Sequence, residues 1–384
     1  MKRSSAILMA VVVGITVCVV TVLVTMVVFN NQLKGDEDSL ALLQFSELED
    51  LIDDYYLYDY DIKDAQDAAL KAMVASLDDP YTTYYTKEEF EAFNQSSEGE
   101  YEGLGMLISE DKDTGDTVII KFFDGSSAQE AGVMVGDVII NLAGVDVRGM
   151  SLEEVSSLSL GESGTLVKLG VLRDGQEYYY ELERRAIIVD MLTYEVLDDN
   201  VGYIRILQFG GNASVLFAKA MGEFADLGVE GVVIDLRDNP GGFMHVVVEM
   251  LDMLLPEGTL VYTEDKYGNR DTEFSDAANI DMEFTVIVNG NTASAAEIFA
   301  GAMQDYDYAQ VVGSTTYGKG VVQAVLPMEG TGGGVKITMS EYFTPDGRSI
   351  YESGVQPDFV VEVDESGEDV QLSKAIEVLE MRIN

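Results

Sequence analysis

The sequence predicts a multidomain α/β (α+β) chain behind an N-terminal transmembrane helix. Three observations carry that reading. Residues 6–29 are an uncharged apolar run; residues 99–185 hold short strand-like runs punctuated by Gly and Asp; and from Val201 onward strand-like and helix-like segments alternate. Alternation of that kind packs helices on a largely parallel sheet and places ligand sites at the C-terminal ends of strands. A single core rarely grows past about 250 to 300 residues, so a chain of 384 residues is expected to hold several folded units.

The first element runs from Ala6 to Phe29, 24 residues without charge or proline. As a helix it rises about 36 Å, enough to cross a hydrocarbon core of about 30 Å. Lys2 and Arg3 precede it and Asp36, Glu37 and Asp38 follow. The positive-inside rule then puts the N-terminus in the cytoplasm and the rest outside the plasma membrane, as a single-pass protein. A cleavable signal peptide is the alternative. It calls for an apolar region of about 7 to 15 residues and a small-x-small cleavage site, whereas the exit here reads Val27-Val28-Phe29-Asn30-Asn31. Cys18 follows Val17 in the middle of the run, which does not suit a lipoprotein.

Residues 38–98 read as a helical region. Leu40, Leu43, Leu48, Leu51 and Ile52, then Ala68, Ala69, Ala72, Met73 and Leu77, recur at helical spacing and predict two helices. They stop at Asp78-Asp79-Pro80-Tyr81, where proline removes a donor and restricts the residue before it.

Composition excludes whole classes of function. The formal charge of −46 excludes nucleic acid as a partner, because phosphate binding depends on Lys and Arg. With one cysteine, Cys18, and one histidine, His245, there is no intramolecular disulfide, no cysteine-based zinc site and no His-Glu-x-x-His motif. No metal or organic cofactor is expected.

Within residues 99–185 stands Gly125-Ser126-Ser127-Ala128-Gln129-Glu130-Ala131-Gly132-Val133-Met134-Val135-Gly136-Asp137-Val138-Ile139-Ile140-Asn141. This resembles the core of PDZ domains: a short helix, a Gly turn, Gly-Asp, then a strand. Tyr101-Glu102-Gly103-Leu104-Gly105 matches the PDZ loop whose backbone N–H groups hold a peptide's terminal carboxylate. By that resemblance Gly103, Leu104 and Gly105 bind peptide, and residues 152–160 supply the helix beside the groove. Taken alone, a glycine-rich loop is an ordinary turn.

Three segments in residues 186–365 carry chemistry, each at the end of a predicted strand. Asp235-Leu236-Arg237-Asp238-Asn239-Pro240-Gly241-Gly242 follows an apolar strand, and its glycines allow outward-facing N–H groups at a helix start. A tight strand-to-helix turn explains it equally well. Asn289-Gly290-Asn291-Thr292-Ala293-Ser294-Ala295-Ala296-Glu297 places Ser294 at a strand-to-helix turn, where an exposed nucleophile belongs. Ser-x-x-Glu is also a capping box, which accounts for both residues without chemistry. In Thr316-Tyr317-Gly318-Lys319-Gly320, a lysine beside an apolar strand is desolvated, and its lowered pKa lets it accept a proton from serine. The alternative is a phosphate- or carboxylate-binding lysine or a solvated turn. His245 falls on a predicted helix, where packing explains it. Residues 366–384 close the chain with a helix.

These segments, in this order and after a PDZ-like domain, resemble the C-terminal processing peptidases, also called tail-specific proteases. Leu77-Asp78-Asp79-Pro80-Tyr81-Thr82, Tyr342-Phe343-Thr344-Pro345-Asp346-Gly347-Arg348-Ser349-Ile350 and Gln356-Pro357-Asp358 extend the likeness. Ser294 and Lys319 stand 25 residues apart and Gln323 follows four later, as in that family. The resemblance implies a crotonase/ClpP-like β-α peptidase core with Ser294 as nucleophile, Lys319 as base and Gln323 as the group orienting it. Lys319 and Gln323, an even number of residues apart in a strand, would share a face. The resemblance assigns the oxyanion hole to N–H groups of Ala295 and of Gly241 or Gly242. It also implies protein substrates with apolar C-terminal tails, recruited and gated by the PDZ domain, and a homodimer. The rival from another class is a catalytically silent, membrane-anchored PDZ scaffold.

Overall fold

The computed structural model describes residues 37–111, 114–197, 200–276, 279–280, 282–363 and 368–383. The expected membrane span at 6–29 lies outside the described residues; among those described, no helix is long and apolar enough to cross a membrane. The chain divides into two compact units between Met73 and Val74. The first contains α1 (Glu37–Tyr55) and most of α2 (Ile62–Ala75). A tyrosine-rich turn joins them, with the Tyr56 ring edge-on to Tyr58 and Tyr60 at 5.8 and 6.1 Å. Gln66 of α2 donates to Glu49 of α1 at 2.7 Å.

The second unit opens with β1 (Thr83–Tyr85) and α3 (Lys87–Ser97), a third helix that the apolar spacing of residues 38–77 did not reach. Thr86 and Glu89 close a capping box at its start, which stops β1 and starts α3 within one residue. Next come β2 (Glu100–Gly103), β3 (Met106–Glu110), β4 (Thr117–Phe122), α4 (Ser127–Glu130), β5 (Val138–Leu142), β6 (Val145–Asp146), α5 (Leu152–Ser159), β7 (Leu166–Arg173), β8 (Gln176–Glu183) and β9 (Arg185–Ile188). Strands β3-β4-β5-β7-β8 form an antiparallel sheet with β3 at its edge. Its core is aliphatic: Ile119, Leu142, Leu169 and Val171 are fully buried. The Gly-Asp turn is pinned by Arg173, which donates twice to Asp137 at 2.6 Å.

The rest of the unit is β10 (Leu192–Val196), β11 (Val201–Ile206), α6 (Ala213–Leu227), β12 (Gly231–Asp235), α7 (Met244–Leu254), β13 (Gly258–Asp265), β14 (Arg270–Ser275), β15 (Glu283–Val288), α8 (Ala295–Asp305), β16 (Ala309–Gly313), β17 (Val321–Pro327), β18 (Gly334–Phe343), β19 (Phe359–Val360) and α9 (Val370–Ile383). The main sheet has the order β10-β11-β12-β15-β16-β19, parallel except for the β10–β11 edge. Its central strands are mostly apolar because both faces are covered. Val232 and Ile234 of β12 join the core with α6, α7 and α8, while Val233 between them packs with Ala375, Val378 and Leu379 of α9. A second, antiparallel sheet, β1-β18-β13-β14 with β17 on β18, stands beside it. Through β18 it brings β1 and β17 together.

Candidate active site

Strands β12, β15 and β16 are parallel neighbours, so the loops leaving their C-terminal ends converge on one edge. Asn239, fully buried, stitches two of them. Its side chain donates to the Ile206 carbonyl at 2.9 Å and accepts the Gly241 N–H at 2.8 Å, and its own carbonyl accepts the Ala293 N–H at 3.0 Å. Ser294 then starts α8 with φ 58° and ψ −120°, a left-handed conformation that costs a non-glycine residue about 1 to 3 kcal/mol. Around it the Ser294 N–H donates to the Glu297 carboxylate at 2.9 Å, one arm of the expected capping box, and the Tyr342 hydroxyl donates to the Ser294 carbonyl at 3.1 Å. The cap is real, and it holds the serine in the strained turn.

Gly241 and Gly242 have φ of 105° and 142°. A side chain at Gly241 would stand 2.7 Å from Ser294 Cβ, and one at Gly242 2.1 Å from the Phe209 carbonyl oxygen. Only glycine lets this turn lie against the serine. The Gly241 N–H is consumed by Asn239, which removes it as a free donor and corrects its place in the expected oxyanion hole. Among the described residues the N–H groups of Gly242 and Ala295 have no acceptor.

Lys319 reaches the same place from the loop after β16. A cleft of about 200 Å³ is lined by Ser294, Ala295, Gly242, Lys319 and Gln323, with Phe93, Phe243, Met244, Ile298, Val322, Val325, Lys336 and Tyr342. Burial pushes the Lys319 ammonium below its ordinary pKa and the charge of Lys336 pushes the same way, while the carboxylates of Glu297 and Asp79 oppose them. Its Nζ lies 4.9 Å from the Tyr81 ring centroid. Burial, with a contribution from Tyr317, raises the Tyr81 hydroxyl to about 12, so the ring stays a neutral face. Among the described residues no hydrogen bond joins Lys319 to Ser294. Gln323 lines the cleft, but its amide donates to the Thr338 hydroxyl at 3.3 Å. The even spacing of Lys319 and Gln323 is not what aligns them: Lys319 precedes β17, and a bulge falls between Val322 and Gln323.

Glu297 was legible only as a cap, and it does more. Fully buried, it accepts from Ser294 N–H at 2.9 Å, the Thr316 hydroxyl at 2.5 Å, Gly318 N–H at 2.7 Å and Lys319 N–H at 2.8 Å. One carboxylate ties the serine turn to the lysine loop. The available signal was a lone acid in the apolar helix run Ala295-Ala296-Glu297-Ile298-Phe299. Asp79-Pro80-Tyr81-Thr82 also belongs here, since Thr82 donates to Asp79 at 2.6 Å and accepts the Thr338 N–H at 3.1 Å, setting Tyr81 over Lys319. His245 is exposed, stacks on Phe243 at 5.4 Å, and is not among the residues lining the cleft.

In the other sheet, Gly103, Leu104 and Gly105 are buried at the head of β3. The Leu104 carbonyl accepts the Ser126 hydroxyl at 2.9 Å, and Gly105 has φ 75° at a place where a side chain would also meet Ser126 at 2.6 Å. Strand β3 is an edge strand and α5 packs beside it, the layout that admits an added peptide strand. Among the described residues no group of His, Cys, Asp and Glu could hold a metal.

The sequence profile of peptidase family S41 matches residues 200–361, and that of the PDZ domain residues 95–172. Fold and cleft together define a PDZ-bearing peptidase of the S41 class. The carboxyl-terminal-processing protease of Synechocystis sp. is 36% identical over 302 residues, covering 77% of this chain and 70% of that protein. The carboxy-terminal processing protease CtpA of Bacillus subtilis is 32% identical over 357 residues, covering 91% and 76%. Among solved structures, the photosystem II D1 C-terminal processing protease is similar, with a TM-score of 0.51 at 30% identity over 90% of this chain and 92% of that one. The chain belongs to the carboxyl-terminal processing protease family.

Proposed function

We propose that the chain is a membrane-anchored serine endopeptidase that cuts exported proteins near apolar C-terminal tails by a serine–lysine mechanism. The observation that carries this reading is the Ser294 turn, which shares one cleft with Lys319 and with Gly242 and Ala295, whose N–H groups have no acceptor among the described residues. Such donors stabilise the charge that develops on a carbonyl oxygen under attack. Neutral Lys319 takes the Ser294 hydroxyl proton as Oγ bonds to the peptide carbonyl carbon. The tetrahedral adduct expels the amine, which leaves with that proton, and water deprotonated by Lys319 then releases the acyl group. Lys319 rests on Tyr81, and in this reading the base swings from that ring to Ser294. Gln323 orients it there. Catalytic hydrogen bonds often form only in the substrate complex.

The apolar walls Phe93, Phe243, Met244 and Ile298 suit an apolar substrate side chain. The PDZ groove beside β3 recruits the tail and gates the cleft. The charge-free run at 6–29 supports a single-pass anchor with this unit on the extracytoplasmic side; a homodimer is part of the proposal on the resemblance alone.

The test is incubation of the full chain, in detergent, with an unfolded protein ending in an apolar tail, read by mass spectrometry. Cleavage is expected from wild type and from His245→Ala, and not from Ser294→Ala or Lys319→Ala. Cleavage persisting in a folded Lys319→Ala protein would reject the mechanism. Intact substrate in every case, with the tail still bound, would favour the scaffold.

A further inference from the structure

The chain carries 69 acidic residues against 23 basic ones, yet the cleft inverts that ratio. Two lysines, Lys319 and Lys336, line it, and no aspartate or glutamate does. The mechanism uses Lys319 and leaves Lys336 without a role. Lys336 lies in β18, between β1 and β17. Its Nζ is 6.0 Å from the Tyr85 ring centroid and 5.7 Å from that of Phe93, two rings that stack on each other at 5.1 Å. Those distances are at the limit of a useful cation–π contact. Among the described residues the Lys336 ammonium makes neither a hydrogen bond nor an ion pair, whereas the Glu297 carboxylate is already satisfied by four donors.

Lys336 is half-buried with an aromatic wall behind it and, among the described residues, no counter-charge, and a carboxylate brought by a ligand would supply one. We propose that Lys336 is a specificity-determining residue that receives a carboxylate of the peptide seated in the cleft. This rests on the cleft being the peptidase site. The carboxylate has two chemical sources, an acidic side chain close to the scissile bond or the free C-terminus of a short tail. Pairing with it would weaken the repulsion that Lys336 exerts on Lys319. Carboxylate-bearing peptides would therefore be bound more tightly but would need a higher pH for full turnover.

The test uses two matched peptide pairs, one with a free acid against a C-terminal amide, one with Glu against Gln beside the cut site. Cleavage is measured at alkaline pH, where Lys319 is neutral, with full-chain wild type, Lys336→Met and Lys336→Arg. Wild type should prefer the carboxylate member of at least one pair by about tenfold in kcat/KM, the scale of one charge-assisted hydrogen bond. Lys336→Met should abolish that ratio and Lys336→Arg should retain it. Which pair responds identifies the source. The PDZ loop also reads a terminal carboxylate, so a preference that survives in Lys336→Met belongs to that loop and overturns the proposal, as does equal cleavage within both pairs by wild type. The same pairs are titrated as ligands of Ser294→Ala and Ser294→Ala/Lys336→Met. Loss of the preference in the double variant upholds the Lys336 site even if no peptide is cut, in which case the peptidase reading alone has failed.

Discussion

Replacing Glu297 by Gln tests whether one buried carboxylate aligns the two halves of the site. One oxygen of Glu297 accepts from Thr316 and Gly318, the other from Ser294 and Lys319. Gln keeps the shape but offers only one acceptor end, and its least costly orientation turns the NH2 toward Thr316, whose hydroxyl can accept, and toward the Gly318 N–H, which cannot. One buried donor then loses its partner, at about 1.5 kcal/mol, the low end for a hydrogen bond to a charged group. At roughly 2 °C per kcal/mol for a domain of this size, the apparent melting midpoint should fall by about 3 °C. The turn that presents Ser294 and the loop that presents Lys319 also come apart, so kcat/KM should fall more than tenfold. Because the Glu297 charge holds the Lys319 pKa up, its removal shifts the acid limb of activity to lower pH. A merely structural role would cost stability and leave that limb in place. Unchanged melting together with unchanged kcat/KM would refute the alignment by Glu297.

Three further outcomes follow from the geometry. By the proposed mechanism activity requires neutral Lys319, whose pKa is depressed below 10.5 by burial and by Lys336, so activity should be full above that depressed value and lost as pH falls through it; a pH–rate profile whose acid limb vanishes in His245→Ala would contradict this. Gly241→Ala would push a methyl to 2.7 Å from Ser294 Cβ at φ 105°, and should lower kcat on the order of a hundredfold with tail-peptide binding retained, checked by kinetics and titration. Arg237 pairs with fully buried Asp235 at 2.6 Å and with Asp369 at 2.8 Å, so Arg237→Met should cost about 3 to 5 kcal/mol by stranding Asp235. Thermal melts should show that loss, and limited proteolysis should release α9.

The sequence reveals elements where period and punctuation agree. In the alternation expected from Val201 onward, residues 213–227 form α6, ended by Gly228 at φ 71°, and residues 334–343 form β18. The β13–β14 hairpin escaped because its residues are mostly half-buried or exposed, and Thr, Glu, Asp and Lys between apolar positions read as loop. Ser294, Ala295, Gly242 and Lys319 meet in one cleft because each lies in a segment that leaves a strand end, and Gln323 joins them from the first residues of β17, a placement visible in the chain. What ties them together is not visible. Glu297 reaches Thr316, Gly318 and Lys319, 19 to 22 residues away, and nothing in a local pattern announces a bond across that distance once Ser-x-x-Glu has been explained as a cap. Likewise Gly241 and Gly242 are indistinguishable in sequence, and only the Asn239 side chain decides which N–H stays free.

The strained serine explains why so much of the surrounding chemistry is backbone chemistry. A left-handed residue at the head of α8 would relax if its neighbours allowed it, at a gain of about 1 to 3 kcal/mol. Ser294 is held on both sides of its peptide unit, by Glu297 at the N–H and Tyr342 at the carbonyl, and Asn239 fixes Ala293 before it. At about 1 kcal/mol or more for each of these bonds, their sum matches or exceeds the strain. None of them occupies the N–H groups of Ala295 and Gly242, which have no acceptor among the described residues. The restraints therefore lie behind the serine and the unmet donors in front of it, so the turn can stay strained while its outward face remains open to an incoming carbonyl.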